Sequence, residues 1–228
     1  MMPPLDVIDL GRRPYREVLE LQRTLRLGRL EGTVPNDLLL LVEHEPVYTL
    51  GRGTHPASLP LTIEELQARG ADVVEIERGG DVTWHGPGQL VGYPILHLSR
   101  HREDLHWYLR TLEQALIDGL DAVQLQAGRS PGRTGVWTAG RKIASIGVHV
   151  KQWVTLHGFA LNVQPDLDWF RLIVPCGIQG VEMTSVRREL DSHESDTVLW
   201  SRTQDAVITA FGRAFARDPQ PAYPSFHG

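Results

Sequence analysis

The stretch from residue 135 to residue 163 constrains the fold of this chain more than any other part. It holds three runs rich in β-branched and aromatic residues, at 136–138, 142–150 and 154–163, and the first turn between them is Ala139-Gly140. Such runs joined by short turns are typical of antiparallel hairpins. The sequence therefore predicts a sheet that is at least partly antiparallel.

Predicted helices and strands alternate over the rest of the chain, without repeats. Apolar runs or alternation predict strands at 7–10, 37–43, 72–77 and 89–98. Helical spacing or end signals predict helices at 15–28, 62–69, 103–120 and 198–215, with a short helix-like segment at 167–173. Gly28 is expected to close the first helix, Thr62 to begin a capping box, and Pro46 and Gly51 to break the chain after the apolar run 37–43.

Length and composition fit one domain of the α/β (α+β) class. The chain has 228 residues, of which 41% are hydrophobic and 22% charged, enough to bury a full core. We expect a mixed, largely antiparallel sheet flanked by helices. A single catalytic domain over residues 1–228 is predicted, with a loose tail at 218–228.

Charge and cysteine content exclude several classes of protein. Cys176 is the one cysteine, so an internal disulfide and a cysteine-rich zinc site are excluded, and a reducing compartment, the cytoplasm, is expected. The start of the chain has no long apolar run, which argues against a signal peptide or a membrane span. The net charge of −5 offers no general attraction to nucleic acid.

Arginines crowd the first predicted helix. They are Arg12, Arg13, Arg16, Arg23, Arg26 and Arg29. Because glutamates are interspersed among them, a solvated helix face is one interpretation. A docking surface for an acidic partner is the other.

Residues 78–90 (RGGDVTWHGPGQL) form a glycine-rich segment after a predicted strand. Glycines let a backbone approach a ligand closely, although any tight turn also uses them. The arginine, aromatic residue and histidine set among them favour a functional loop. Neither the dinucleotide-binding fingerprint nor a Walker loop is present.

Lysine is scarce: Lys142 and Lys151 are the two lysines among 23 basic residues, and the others are arginines. Unlike arginine, lysine can lose its proton and act as a base. Lys142 opens a predicted strand and shares a face with Ala144, Ile146 and Val148, where poor hydration would favour its uncharged form. A lysine snorkelling at a strand end is the alternative. Lys151, at a turn, is expected on the surface.

Cys176 follows a proline and precedes a glycine, which predicts a bend that presents the thiol to a pocket. A lone cysteine is also commonly a small buried apolar residue. A thiol needs a neighbouring base or cation to become the nucleophilic thiolate. Lys142 is the natural candidate for that base.

Four motifs together resemble the lipoyl(octanoyl) transferase family, also called lipoate protein ligase B. They are RGGDVTWHGPGQL, GRKIASIGVHV, HGFALNV and PCGI, and the resemblance runs from about residue 39 to residue 190. It implies the fold shared by the catalytic domains of biotin and lipoate ligases. The sequence differs from the usual family pattern at Trp84, where tyrosine is commoner.

The resemblance also implies the site residues. By this resemblance Cys176 and Lys142 form a catalytic dyad. His85 and His149 are either auxiliary groups that hydrogen-bond near the thioester carbonyl or structural histidines whose hydrogen bonds are satisfied within the protein. The implied acyl-binding residues are Arg78, Gly79, Gly80, Asp81, Val82, Thr83, Trp84, His85, Ser145, Ile146, Gly147, Gly158, Phe159 and Ala160. Of these, the glycines are expected to give the acyl chain room, while Val82, Trp84 and Phe159 are expected to line its slot.

The activity implied is transfer of an octanoyl or lipoyl group from acyl carrier protein to a lysine on the lipoyl domains of 2-oxoacid dehydrogenases and glycine cleavage proteins. It would need neither ATP nor a metal. Two alternatives remain: a lipoate or biotin ligase that makes an acyl-adenylate, and a non-catalytic acyl-binding or scaffold module.

Overall fold

The computed structural model describes residues 2–175 and 180–223. The strands in this part are β1 (Pro4–Arg13), β2 (Asp37–His44), β3 (Val47–Leu50), β4 (Asp72–Glu75), β5 (Thr83–His85), β6 (Gln89–Ile95), β7 (Gly128–Ser130), β8 (Arg133–Thr138), β9 (Arg141–Lys151), β10 (Val154–Asn162) and β11 (Asp218–Pro221). The α-helices are α1 (Tyr15–Glu31), α2 (Ile63–Ala68), α3 (Leu105–Ala122), α4 (Val186–Leu190) and α5 (Asp196–Ala214). Among the described helices, none is long and apolar enough to cross a membrane.

An eight-stranded sheet forms the centre, in the order β11-β1-β2-β6-β10-β9-β8-β7. The pairs β11–β1 and β1–β2 are parallel, and every pair from β2 to β7 is antiparallel. The predicted fold class, a mixed and largely antiparallel sheet flanked by helices, is therefore confirmed, as are the hairpins predicted over residues 135–163.

Strand β2 divides the interior into two cores, as its uninterrupted apolar run predicts. Leu39 and Leu41 face the core that contains α3 and α5. Leu38, Leu40 and Val42 face the opposite core, against α1. Because side chains alternate along a strand, burial on both faces requires apolar residues at successive positions.

A second, three-stranded sheet in the order β4-β3-β5 carries part of the glycine-rich segment. Pro46 and Gly51 were expected only to break the chain, but they bound β3. Thr83–His85, expected in a loop, pairs with β3 as β5. Strands of three or four residues depend on such pairing, so their own sequence gives little signal.

Helix α1 continues one turn beyond its predicted end at Gly28. It ends before Gly32, which takes a left-handed conformation with φ +81°. At Gly28 a side chain would place its Cβ 2.6 Å from Val34 Cγ2, so this glycine permits a close contact and does not end the helix. The predicted capping box of α2 is confirmed by hydrogen bonds in both directions between Thr62 and Glu65.

The end of the chain differs from the predicted loose tail. Asp218–Pro221 forms β11, at the edge of the large sheet. The N–H groups of Asp218 and Ala222 donate to the carbonyls of Pro3 and Val7, both over 2.9 Å. Prolines are tolerated here because an edge strand has one unpaired side. Residues 224–228 lie outside the described part, and the single-domain boundary stays a prediction.

Candidate active site

A cavity of about 370 Å³ lies between residues 78–85 and strands β9 and β10. The predicted site residues that line it are Arg78, Gly79, Gly80, Asp81, Thr83, His85, Lys142, Ser145, Ile146, Gly147, Gly158, Phe159 and Ala160. Three segments far apart in sequence thus meet around one space. Its volume falls within the roughly 300–1,000 Å³ of small-molecule sites.

Lys142 lies in the wall of this cavity, only 2% exposed. Its N–H donates to the Glu182 carbonyl over 2.8 Å, and its own carbonyl accepts from the Thr184 N–H over 2.9 Å. Its Nζ lies 5.6 Å from the centroid of the Trp137 ring, within range of a cation–π contact when the lysine is protonated. Gly135 leaves space for this side chain, because a Cβ there would lie 2.9 Å from Lys142 Cε.

Cys176 lies outside the described residues, so its pairing with Lys142 stays a prediction. Two positions before Cys176 in the sequence, the N–H of Val174 donates to the Ser58 carbonyl over 2.9 Å. Beyond it, residues 182–184 lie beside Lys142, with Met183 in a parallel bridge to the lysine.

The buried guanidinium of Arg78 holds the glycine-rich segment in place by hydrogen bonds. Its guanidinium donates to the Thr49 carbonyl and the Asp81 carbonyl, each over 2.7 Å, and to Thr49 Oγ1 over 2.9 Å. It also donates to the Gly79 carbonyl over 3.1 Å. Hydrogen bonds from a charged donor contribute about 1.5–3 kcal/mol each. Through these contacts with protein atoms, Arg78 therefore holds the shape of the part of the cavity wall formed by residues 78–81.

Gly147 and Gly158, which are expected to give the acyl chain room, also lie very close to other protein atoms. A Cβ on Gly147 would lie 2.9 Å from Arg78 Cδ and 3.3 Å from the Gly79 carbonyl oxygen. A Cβ on Gly158 would lie 2.1 Å from the Gly92 carbonyl oxygen on β6. Each glycine thus lets neighbouring protein atoms pack closely against the strand that carries it, and this packing shapes the cavity.

His85 presents a neutral imidazole to the cavity. Its Nδ1 lies 2.7 Å from Gln89 Oε1. Its ring stacks on that of Tyr15, with centroids 6.0 Å apart and planes 5° apart. Burial lowers the pKa of His85 to about 3, so the ring carries no charge near neutral pH.

Val82, Trp84 and His149 are not among the cavity-lining residues, unlike the other described residues predicted for the site. The alternation of β5 turns Thr83 and His85 toward the cavity and Trp84 away from it. Trp84 stacks on Trp169 in a third apolar cluster that also contains Val82. His149 is half-buried on β9, and burial lowers its pKa.

Three buried polar residues of the wall escaped prediction: Tyr15, Tyr93 and His157. Tyr93 donates to His44 Nε2 over 2.8 Å, while His44 Nδ1 lies 2.9 Å from the Arg13 carbonyl. Burial lowers the pKa of His44 to about 4, which keeps that ring neutral. These residues lie at a helix start and within strands, where periodicity indicates burial but not a cavity.

The arginines at the end of β1 and on α1 have partners within the described protein. Ion pairs join Arg12 to Glu43, Arg13 to Glu17, Arg16 to Asp72, Arg23 to Glu20 and Glu77, and Arg29 to Asp37. Arg26 donates to the Lys151 carbonyl over 3.1 Å. These contacts favour the interpretation of a self-paired helix face over that of a docking surface.

Comparison with known proteins identifies the family. The model of the lipoyl protein ligase A/B catalytic domain matches residues 14–213. An octanoyltransferase from Gloeobacter violaceus is 47% identical over 218 residues, covering 94% of this chain and 92% of its own. One from Geobacter sulfurreducens is 52% identical over 185 residues, covering 81% and 75%. The chain belongs to the lipoyl(octanoyl) transferase family. The predicted family and the predicted acyltransferase class are thereby confirmed.

Solved structures of lipoate and biotin ligases have the same fold as this transferase, although their sequences are only distantly similar. Lipoate-protein ligase A bound with ATP matches with a TM-score of 0.78 at 15% identity, covering 99% of this chain and 90% of that one. The bipartite lipoate protein ligase of Thermoplasma acidophilum matches with 0.78 at 16%, covering 99% and 89%. A biotin protein ligase from Aquifex aeolicus matches with 0.52 at 11%, covering 93% and 72%. The predicted biotin and lipoate ligase type of fold is confirmed.

Proposed function

We propose that the chain transfers an octanoyl or lipoyl group from the thioester of an acyl carrier protein to the ε-amine of a lysine on a lipoyl domain. The acceptors would be lipoyl domains of 2-oxoacid dehydrogenases and glycine cleavage proteins, in the first step of lipoate cofactor synthesis. Relatives about half identical that are named octanoyltransferase support the acyl group. The observation that carries the proposal is the cavity, which has glycine backbone and apolar residues in its wall and one buried lysine, Lys142.

The first half-reaction exchanges one thioester for another. Lys142 takes the proton of the Cys176 thiol, and the thiolate attacks the carbonyl carbon of the donor. A carbon–sulfur bond to Cys176 forms while the bond to the pantetheine sulfur breaks, and the departing thiolate recovers the proton from Lys142. Because the two thioesters are of similar energy, the exchange requires no ATP.

The second half-reaction forms the amide. Lys142 takes a proton from the acceptor lysine, whose amine attacks the acyl carbon held on Cys176. The carbon–nitrogen bond forms, the carbon–sulfur bond breaks, and the departing Cys176 thiolate takes the proton from Lys142. The amide is more stable than the thioester, so this step drives the transfer forward.

The lining of the cavity supports the following parts for the other residues. The segment 78–80, Ser145 to Gly147 and Gly158 to Ala160 would surround the acyl chain, with Leu105 and Leu109 of α3 completing the wall. Backbone N–H groups near the acyl carbon would stabilise the oxyanion. His85, neutral near pH 7, would act as a hydrogen-bonding group and not as a cation.

A transfer assay without ATP tests the proposal. Purified protein is mixed with octanoyl-acyl carrier protein and a lipoyl domain, and the domain mass is followed. We expect octanoylation without ATP, and we expect Lys142→Arg to remain folded without transferring, since arginine cannot accept a proton at working pH. Strict dependence on ATP would indicate the acyl-adenylate chemistry of a ligase instead, and wild-type rates in Lys142→Arg would remove this lysine from the mechanism.

A further inference from the structure

Two buried amide side chains connect the cavity histidine to the segment that follows Cys176 in the sequence. Gln89 Nε2 donates to Asn162 Oδ1 over 2.9 Å, and both residues are buried. At one end of this pair, Gln89 Oε1 meets His85 Nδ1. At the other, Asn162 Nδ2 donates to the Thr184 carbonyl over 2.9 Å. The reaction proposed above uses neither amide.

The Thr184 carbonyl fixes the orientation of both amides, because a carbonyl oxygen can only accept. Asn162 turns its NH₂ group to that carbonyl, so its oxygen faces Gln89. Gln89 then turns its own NH₂ group to Asn162, and its oxygen faces His85. His85 must therefore hold its proton on Nδ1, which leaves a lone pair on Nε2.

Thr184 also binds the backbone of Lys142. Residues 182–184, which begin six positions after Cys176, bond to both the N–H and the carbonyl of Lys142. Asn162, at the end of β10, ties this segment to the strand that supplies Gly158 to Ala160 of the cavity wall. The pairing of β9 with β10 also holds the strand of Lys142 against this wall, so a shift of Thr184 would act on the Lys142 backbone locally, through its N–H and carbonyl hydrogen bonds to residues 182–184.

We propose that Asn162 is a positioning residue, which holds the segment after Cys176 and the backbone of Lys142 in register with the cavity wall. This inference rests on the proposed function, because it gives Asn162 a part in the Cys176–Lys142 pair. Without Asn162, the Thr184 carbonyl and the Gln89 amide lose a buried partner, and the lysine is placed less closely. The segment keeps a second anchor, since the Thr184 hydroxyl donates to Glu189, which pairs with Arg141.

The test compares Asn162→Ala with Thr155→Val. Thr155 is also buried on β10, where its hydroxyl donates to the Pro94 carbonyl over 2.6 Å and accepts from the Leu96 N–H, but it has no bond to the segment 182–184. It is therefore a matched control for lost buried hydrogen bonds. Three quantities are measured: the melting temperature, the rate of octanoyl loading, and the pH midpoint of Cys176 alkylation by iodoacetamide. Lys142→Met is the reference for a lost lysine.

We expect the alkylation midpoint to rise by about one pH unit in Asn162→Ala, because a cation that is placed less closely stabilises the thiolate less. Octanoyl loading should fall about tenfold, the factor that corresponds to one pH unit. Thr155→Val should keep both quantities within about twofold, even at an equal loss of melting temperature. If Asn162→Ala does not fold, Asn162→Ser, which leaves a smaller void, gives the same comparison.

An unchanged midpoint and loading rate in the Asn162 variants, beside a shifted midpoint in Lys142→Met, would overturn the inference alone. An unshifted midpoint in Lys142→Met would overturn the dyad and the inference together. Failure of the proposed function is a separate result, because wild-type protein would then load no octanoyl group at all.

Discussion

Gly147→Ala tests whether Arg78 shapes the cavity as the structure indicates. The added Cβ would lie 2.9 Å from Arg78 Cδ and 3.3 Å from the Gly79 carbonyl oxygen. Since carbon atoms in contact are about 3.5–4.0 Å apart, the arginine must recede by at least about 0.6 Å. It cannot do so freely, because its guanidinium is bound to Thr49 and Asp81 over 2.7 Å.

The expected cost follows from these contacts. Overpacking of this kind costs about 1–3 kcal/mol, and each loosened hydrogen bond from a charged donor adds to it. In a chain of this size, about 2–4 °C of melting temperature is lost for each kcal/mol. We therefore expect the melting temperature to fall by about 2–12 °C and octanoyl loading to slow by about tenfold, because the part of the cavity wall formed by residues 78–81 moves.

Thermal unfolding and the rate of loading from octanoyl-acyl carrier protein measure the two effects. Gly128→Ala is the matched control: this glycine also lies in a strand, and its Cβ would meet no atom within 4 Å. Its melting temperature and loading rate should match those of the wild type. Wild-type stability and loading in Gly147→Ala would refute the argument that Arg78 is held in place.

Three further predictions concern stability and the boundary of the site. Asp37→Asn should lower the free energy of unfolding by about 3–5 kcal/mol, because it leaves Arg29 and Arg217 without the buried carboxylate that binds both. A loss below about 1 kcal/mol, measured by unfolding in urea, would contradict this. Between pH 7 and pH 5 the free energy of unfolding should fall by about 2 kcal/mol for each of His44 and His85. The lowered pKa of each keeps its ring neutral in the folded protein, whereas the same ring in the unfolded chain takes up a proton below about pH 6.5. His44→Gln should remove the His44 share of that loss, about 2 kcal/mol, and a free energy of unfolding independent of pH in this range would contradict the assignment. Trp84→Phe should lower the melting temperature and leave the preferred acyl length unchanged, because Trp84 packs on Trp169 and Phe170; a changed length preference in competition between acyl donors would place its ring at the acyl chain.

The sequence predicts the elements whose signals are local. The hairpins over residues 135–163 follow from alternation and turns, and the buried strand β2 follows from its unbroken apolar run. The capping box at Thr62 is equally local, since both of its partners lie within four residues. For the same reason the strand that carries Lys142 could be predicted together with the residues beside it.

Features that depend on tertiary pairing could not be predicted from the sequence. Strand β5 exists because β3 pairs with it, and that pairing decides that Thr83 and His85 face the cavity while Trp84 does not. The glycines at 147 and 158 are visible in the sequence, but the atoms that occupy their Cβ positions come from Arg78 and Gly92. Asn162 likewise acquires its place only when Gln89 and Thr184 meet it in space.

The proposed mechanism depends on Cys176 as the carrier of the acyl group and on Lys142 as its base. Mass spectrometry of the intact protein after brief incubation with octanoyl-acyl carrier protein, without an acceptor, tests it most directly. We expect one octanoyl group on wild-type protein, mapped to Cys176 by peptide analysis, none on Cys176→Ser, and much slower loading of Lys142→Met. An unmodified wild type under conditions that support transfer, or an octanoyl group on another residue, would contradict it.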